Sequence, residues 1–98
     1  MPDQKKRHNR VARLQALRVH VDEHSDVLSD GLYLMLQNAL GVFYDYTRKQ
    51  ETELVRTRAE RAQRRVMFKR WDAEYGALTV HVHEAVRLSR TRAPRARA

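Results

Sequence analysis

The stretch LSDGLYLMLQNALGVFYDY, residues 28–46, decides how this chain folds. It is the one long apolar run in a 98-residue sequence in which 33% of the residues are charged. Its apolar residues recur at spacings of four and three, the heptad pattern of a helix that packs against other helices. Six residues form this first stripe: Leu28, Leu32, Met35, Ala39, Val42 and Tyr46. A second stripe beside it contains Leu36, Leu40 and Phe43.

The two stripes together make an apolar face that is wider than the seam of a two-stranded coiled coil. The rest of the chain offers little apolar sequence to cover this face. We therefore expect other helical proteins to bind it.

Composition limits the function further. A chain of 98 residues is long enough for one domain. Its 20 Lys and Arg residues exceed its 12 Asp and Glu residues, which gives a formal net charge of +8. Such a charge favours nucleic acid, an anionic membrane surface or an acidic protein as partner, although a solvated coiled-coil exterior with basic tails is the simpler interpretation. The chain has no cysteine, which excludes disulfides and thiolate metal sites.

No apolar run reaches the length of about 18 residues that a membrane-spanning helix needs. The basic start of the chain also lacks the apolar core of a signal peptide. We therefore predict a protein without a membrane span or a secretory signal. A mitochondrial presequence is left open, although Asp3 and the absence of early serines argue against it.

Upstream of residue 28 the pattern predicts one short helix. Residues 1–10 are predicted to be a flexible basic start, and residues 11–25 a short amphipathic helix with Val11, Leu14, Leu17 and Val21 on one face. Ser25 or Asp26 is the expected cap of the next helix. Whether the first helix continues into the second or breaks at residues 24–26 is left open.

Downstream, the apolar seam continues with smaller residues and then shifts phase at Phe68 and Trp71, which indicates a stutter in a coiled coil or a bend. One helix over residues 26–71 is the favoured prediction. The alternative is a hairpin with its turn at residues 47–52, where no strong turn residue stands. The coiled-coil region is predicted to cover residues 26–88, with a candidate break at Gly76, followed by a disordered Arg-rich tail over residues 89–98.

The segments LRVHVDE, residues 17–23, and LTVHVHE, residues 78–84, share a pattern that fits either a strand or a helix. Two isolated strands are marginally stable, so helix is favoured for both. The fold class is therefore predicted as all-α: a long amphipathic helix or coiled coil, or a helical hairpin, with basic disordered tails. The predicted partner interface consists of Leu28, Leu32, Met35, Leu36, Ala39, Leu40, Val42, Phe43, Tyr46, Val55, Ala59, Ala62, Val66 and Trp71.

His20 and His24 fit the H-x-x-E-H pattern of some zinc proteases. Residues four apart share one face of a helix, so both imidazoles could reach one zinc ion, with His83 or Glu84 as a conceivable third ligand. Two solvated histidines are the simpler interpretation, because so short a chain has little material for a catalytic cleft. The sequence also has no Gly-rich phosphate loop, so we expect neither an enzyme nor a metal or cofactor.

Residues 47–70 carry nine basic and three acidic side chains. They are the alternative site, for a nucleic-acid backbone, and the candidate contacts are Arg56, Arg61, Arg64, Arg65, Lys69 and Arg70. The simpler interpretation is a coiled-coil exterior with pairs such as Glu60 and Arg64.

The stretch from Leu28 to Trp71 resembles the subunit 1 family of the complex that builds lysosome-related organelles. The matching features are a leucine and a hydroxyl residue at the helix start, a tyrosine followed by an Arg-Lys pair and a glutamate, and then an Ala-Gln pair and a tryptophan. They correspond to Leu28-Ser29, Tyr44, Arg48-Lys49, Glu53, Ala62-Gln63 and Trp71. After Trp71 the chain departs from the family's pattern.

This resemblance implies a helical rod that assembles side by side with other small coiled-coil proteins into an elongated hetero-oligomer. Such proteins act without catalysis in the sorting and positioning of endosomes and lysosomes, in the cytoplasm and at the surface of these membranes. Trp71 would then anchor one end of the interface.

Overall fold

The computed structural model describes residues 10–92, and this part of the protein consists of three α-helices. Helix α1 spans Arg10–Glu23, α2 spans Asp30–Thr52 and α3 spans Arg58–Arg92. No strand occurs between residues 10 and 92, and the all-α class is confirmed. Residues 1–9 of the predicted flexible start and residues 93–98 of the predicted tail lie outside the described residues, whereas residues 89–92 of that tail belong to α3.

The helices run up, down and up. Contacts from Arg10 to Glu51 and from Asp22 to Tyr33 make α1 and α2 antiparallel. Helices α2 and α3 are also antiparallel, as their hydrogen bonds show. Helices α1 and α3 are parallel, because residue 13 of α1 contacts residue 72 of α3 and residue 20 contacts residue 83. The result is an elongated body of 60 × 27 × 17 Å.

The start of α2 differs from its prediction. Ser29, and not Ser25 or Asp26, is the cap, and its Oγ accepts a hydrogen bond of 3.2 Å from the backbone N–H of Leu32. Turn hydrogen bonds fill residues 24–27. Ser29 sits directly before the dense apolar run, whereas a start at residue 26 would have required Gly31 in the helix interior rather than in its first turn.

The favoured prediction of one helix over residues 26–71 is wrong, because the chain turns back at residues 53–57. A capping box begins α3 immediately after this turn. The Glu60 carboxylate accepts from the backbone N–H groups of Arg56 and Thr57 at 2.9 Å, and Thr57 Oγ1 accepts from the Glu60 N–H at 3.0 Å. These backbone N–H groups lower the pKa of Glu60.

The hairpin alternative is therefore the observed topology, with its turn a few residues later than expected. No Gly or Pro stands in this turn. Its sequence signal is Thr57-x-x-Glu60, a capping-box pattern that contains no turn residue.

Helix α3 continues through Gly76, so the candidate break there does not occur. The repeated segments at residues 17–23 and 78–84 are both helical, as favoured. Gly76 is exposed, and it lies between Tyr75, which packs against the core, and Ala77, which faces solvent. A single glycine costs a long helix about 1 kcal/mol, which is too little to end it.

One core joins the three helices. Its fully buried apolar side chains come from all three helices and the residue before the α2 cap: Leu14, Leu17, Val21, Leu28, Leu36, Leu40, Phe43, Trp71, Val82 and Val86. The buried face of α1 is the predicted one. For α2, the second predicted stripe, Leu36, Leu40 and Phe43, faces the core. Most of the first stripe therefore remains on the surface.

Candidate interaction surfaces

Trp71 lies at the junction of the three helices, where it is 2% exposed. Its ring stacks between Phe43 and Tyr75, at centroid distances of 5.5 and 5.0 Å. Its indole N–H donates to Thr47 Oγ1 at 2.7 Å, and that hydroxyl donates in turn to the Phe43 carbonyl at 2.7 Å. The guanidinium of Arg13 from α1 covers the indole at 5.0 Å. The sequence did not single out Thr47, although a buried indole generally needs such an acceptor.

Five residues of the predicted partner interface are therefore internal. They are Leu28, Leu36, Leu40, Phe43 and Trp71, and none is more than 9% exposed. The prediction assigned them to a partner because the chain seemed to have too little apolar sequence to cover them. Instead, α1 and α3 fold back and cover them from within the same chain.

The outer stripe of α2, defined as Met35, Ala39, Val42 and Tyr46, points away from this core. Met35 is 57% exposed, Val42 72% and Tyr46 41%. The four residues recur at spacings of four, three and four, so they keep the heptad pattern of the predicted seam. Leu32, the remaining seam residue of α2, is half-buried against the core. The structure thus divides the predicted seam into a buried part and an exposed part.

A second exposed stripe follows the back of α3. This back stripe contains Val66, Ala73, Ala77 and Val80, and the two valines are 60% and 65% exposed. Ala59 is exposed and Ala62 half-buried near the start of the same helix, while Val55 is half-buried in the preceding turn. Small side chains along a helix allow another helix to approach closely.

Four basic side chains of α3 form a ridge on its surface. Arg58, Arg61, Arg65 and Lys69, the basic ridge, are exposed and recur at spacings of three, four and four along one side of the helix. The ion pairs between residues 10 and 92 are Arg10–Glu51, Arg13–Asp72 and Arg87–Glu84, so none involves the ridge.

Arg64 has a structural role instead. Its guanidinium donates to the carbonyls of Gln50, at 2.5 Å, and Glu53, which are orphan acceptors at the end of α2. The predicted pair of Glu60 with Arg64 does not form, because Glu60 serves the capping box. Of the predicted nucleic-acid contacts, Arg56, Arg61, Arg65, Lys69 and Arg70 are exposed and Arg64 is half-buried.

Three imidazoles meet where α1 contacts the second half of α3. The His20 ring lies 4.3 Å from that of His24 and 4.7 Å from that of His83. The His20 and His83 rings are stacked, with 26° between their planes, and His24 Nδ1 bonds to the His20 carbonyl at 2.8 Å.

In stacked rings the nitrogen atoms do not point at a common position where a metal ion could sit. Among the described residues, no group of three or more His, Cys, Asp or Glu side chains could hold a metal ion. The suggested ligand His83 does approach the H-x-x-E-H pair, but as a stacking partner. Burial, followed by the neighbouring His24 and His83, lowers the pKa of His20 below 6.5.

The contact between α1 and α2 is polar at its outer edge. Tyr33 donates to the Asp22 carboxylate, and Gln37 donates to the same carboxylate and to the Arg18 carbonyl, both at 3.1 Å. The hydrogen bond to Asp22 raises the pKa of Tyr33. These bonds fix the register of the two helices.

No protein-family model, curated protein or solved structure matches this chain. No helix between residues 10 and 92 combines the length and the apolar character needed to cross a membrane.

Proposed function

We propose that this chain is a non-enzymatic helical subunit of a larger hetero-oligomeric assembly, joined to other helical proteins through its two exposed apolar stripes. The observation that carries the proposal is the outer stripe of α2. Val42 is 72% and Met35 57% exposed on a helix whose adjacent face is packed in the core. Contiguous apolar surface on a small protein marks an interaction site, because leaving it in water is unfavourable.

The pattern of this stripe indicates the kind of partner. Heptad spacing suits another α-helix, whose side chains pack between those of the stripe. The back stripe of α3, with alanines between Val66 and Val80, suits a second close helix contact. A chain with two such surfaces can join two neighbours, as a subunit of an elongated assembly must.

The resemblance of Leu28 to Trp71 to the lysosome-related organelle complex suggests which assembly this is. We propose that it acts in the biogenesis and positioning of endosomes and lysosome-related organelles, in the cytoplasm and at the surface of their membranes. The elongated shape of the chain is compatible with side-by-side packing. The matching stretch here forms two helices and a turn, however, rather than one continuous rod.

Affinity capture from the source cell, with and without nuclease, tests this proposal. We expect the tagged wild-type chain to retain other small helical proteins in fixed ratio after nuclease treatment. The double variant Val42→Asp/Val66→Asp should lose them, because a charge within each stripe cannot be desolvated without a partner. Leu54→Asp is the matched control, since Leu54 is 70% exposed but lies in the turn, outside both stripes. Retention of the same proteins by the double variant would refute the proposal.

A second candidate function, nucleic-acid binding, is favoured by the basic ridge of α3. Four cations on one side of a helix, without ion pairs among the described residues, can follow a phosphate backbone. Such contacts are independent of sequence and weaken steeply with salt.

Arg64 provides an internal control for this second candidate. The triple variant Arg61→Gln/Arg65→Gln/Lys69→Gln should bind single- and double-stranded nucleic acid more weakly, with a salt slope reduced by about 0.9 for each lost phosphate contact. Arg64→Gln should keep the salt slope and instead lower the stability of the fold, because it removes bonds to the end of α2. Equal binding by the triple variant and wild type would exclude the ridge as a nucleic-acid site.

A further inference from the structure

The basic ridge of α3 has no free carboxylate beside it on its own helix. Between residues 58 and 71 the only acidic residue is Glu60, and its carboxylate is bound to backbone N–H groups at the start of the helix. The next acidic residue, Asp72, faces Arg13 of α1 at 3.9 Å. No ion pair within the described residues therefore neutralises the ridge, and its charge suits an extended polyanion.

The ridge is also fixed in position. The capping box sets the start of α3, Arg64 binds the end of α2, and Trp71 is buried in the core. Arg58 and Lys69, the two ends of the ridge, are about 16.5 Å apart along the helix axis. A nucleic-acid duplex is straight over this length, because its persistence length is about 50 nm. A flexible single strand would lose conformational freedom in order to follow such a row.

The aromatic side chains of α3 are not available to unpaired bases. Trp71 is 2% exposed, and Tyr75 stacks on it at 5.0 Å. The ring of Phe68 is half-buried, and the guanidinium of Arg10 covers it at 3.8 Å. Proteins that bind single strands stack the bases on exposed aromatic rings beside a basic groove. The ridge has no such ring beside it on α3, so its contacts are limited to phosphates.

Phosphate contacts alone favour a duplex over a single strand. Each contact releases about 0.9 counterion from a duplex and about 0.7 from a single strand, because the duplex has the higher charge density. If both forms bind equally at 1 M salt, four contacts make duplex binding about tenfold tighter at 50 mM salt. The same arithmetic gives a preference of about fourfold at 200 mM salt.

A membrane surface fits the ridge less well than a duplex does. Helices that lie on a membrane bury large side chains such as Trp, Phe or Leu beside their basic residues. The apolar side chains beside the ridge are Ala59, Ala62 and Val66. They are too small to hold the helix in a lipid layer, and a polyanion that is bound by charge alone remains the better ligand.

We propose that the basic ridge binds double-stranded nucleic acid, with Arg58, Arg61, Arg65 and Lys69 along the phosphates of the duplex and without contacts to the bases. This inference rests on the second candidate function and specifies its ligand. The binding is independent of base sequence, and the two apolar stripes take no part in it.

Fluorescence anisotropy with a short DNA duplex of mixed sequence, and with each of its strands alone, tests the ligand. For the full wild-type chain we expect about tenfold tighter binding to the duplex at 50 mM salt and about fourfold tighter binding at 200 mM salt. Equal or tighter binding of the single strands would overturn the duplex as the ligand, whereas nucleic-acid binding by the ridge would stand.

Two double variants of equal net charge test the position of the site. Arg61→Gln/Arg65→Gln removes two cations of the ridge, and Arg48→Gln/Lys49→Gln removes two exposed cations of α2. At 50 mM salt the ridge variant should bind the duplex about 200-fold more weakly, because two phosphate contacts are lost. The α2 variant should lose less than about tenfold, since it removes no contact and more distant charges are screened.

Circular dichroism shows whether both variants keep the helical content of the wild-type chain, as expected for exposed positions. Equal losses of affinity in two folded variants would overturn the ridge as the site, because binding would then depend on net charge alone.

Vesicles that contain phosphatidylserine distinguish a lipid surface from a duplex. Wild-type chain that binds neither the duplex nor its strands would overturn this inference together with the second candidate function. Sedimentation of the chain with the vesicles in that case would assign the ridge to an anionic lipid surface. The helical partners of the apolar stripes are tested separately by the capture experiment, because that experiment includes nuclease.

Discussion

Helices α2 and α3 use their sequences in opposite ways. In its 23 residues α2 buries four side chains and exposes an apolar stripe beside them. In its 35 residues α3 buries three, Trp71, Val82 and Val86, and exposes mostly charged and small residues. Both helices leave apolar side chains exposed, but α2 is held by a dense buried face, whereas the longer α3 is held by three buried side chains.

The comparison shows that helix length and apolar content are separate properties. The length of α3 is set by the capping box at its start and by the absence of Pro up to residue 92. Its attachment depends on a few contacts, with Trp71 as the largest. The four predictions below test this division between a dense helix and a sparse one.

Leu40→Ala should have the largest effect on stability. Leu40 is 0% exposed on the packed side of α2, so the truncation should cost about 2–5 kcal/mol of unfolding free energy. Leu34→Ala, on the same helix but 57% exposed, should change it by less than about 0.5 kcal/mol. Urea denaturation at one protein concentration measures both, and similar losses would mean that α2 does not bury the side that the structure shows.

Trp71→Phe should weaken the packing of α3 and lower the free energy of unfolding by less than Leu40→Ala does. It removes the indole donor to Thr47 and part of the ring volume between Phe43 and Tyr75, at a cost of about 1–3 kcal/mol. Tyr75→Phe is the control, since it loses an exposed hydrogen bond of 3.3 Å and should cost less than about 0.5 kcal/mol. An equal loss in the two variants would contradict the central position of Trp71.

Gly76→Ala should stabilise the chain by about 0.5–1 kcal/mol, because a Cβ there meets no atom within 4 Å and alanine loses less entropy in a helix. The reverse change at the neighbouring exposed position, Ala77→Gly, should destabilise by about the same amount. Thermal unfolding compares the two. Destabilisation by Gly76→Ala would show that the helix breaks at this glycine after all.

The smallest effect is a pH dependence at the contact of α1 with α3. The folded pKa of His20 lies below 6.5 because of burial and the facing His24 and His83, with Arg90 adding to the shift and Glu23 opposing it. The unfolded chain therefore binds more protons in this range. The stability is complete above pH 6.5 and falls as the pH decreases towards the folded pKa.

His20→Gln should reduce this loss of stability, and His81→Gln, an exposed control on α3, should leave it unchanged. The measurement is the urea midpoint at one pH above 6.5 and one below it. A wild-type midpoint that does not fall on acidification would contradict the lowered pKa of His20.

Much of the fold could be predicted from local patterns. The all-α class and the buried face of α1 follow from periodicity. The periodicity of residues 78–84 fits a strand or a helix, and helix was favoured because two isolated strands are marginally stable. The turn at residues 53–57 was missed because it contains no Gly or Pro. The start of the next helix was signalled by Thr57 and Glu60, which cap it through their own hydrogen bonds.

The candidate site was predicted only in part. The heptad pattern grouped Met35, Val42 and Tyr46, which the structure leaves exposed, with buried residues such as Leu36 and Leu40, and it gave all of them the same role. The periodicity of one helix reports that a face is apolar and contains no information about which neighbour covers it.

The sequence by itself determined the class of fold, the short first helix and the excess of positive charge, because these depend on composition and on residues close together in the chain. Only the tertiary structure decided that Leu36, Leu40 and Phe43 belong to the core and that Met35, Val42 and Tyr46 remain at the surface. It also assigned Arg64 to the end of α2 and brought His83 to His20. Each of these results depends on where α1 and α3 pack around α2, and that packing is a balance among long-range contacts that no local pattern contains.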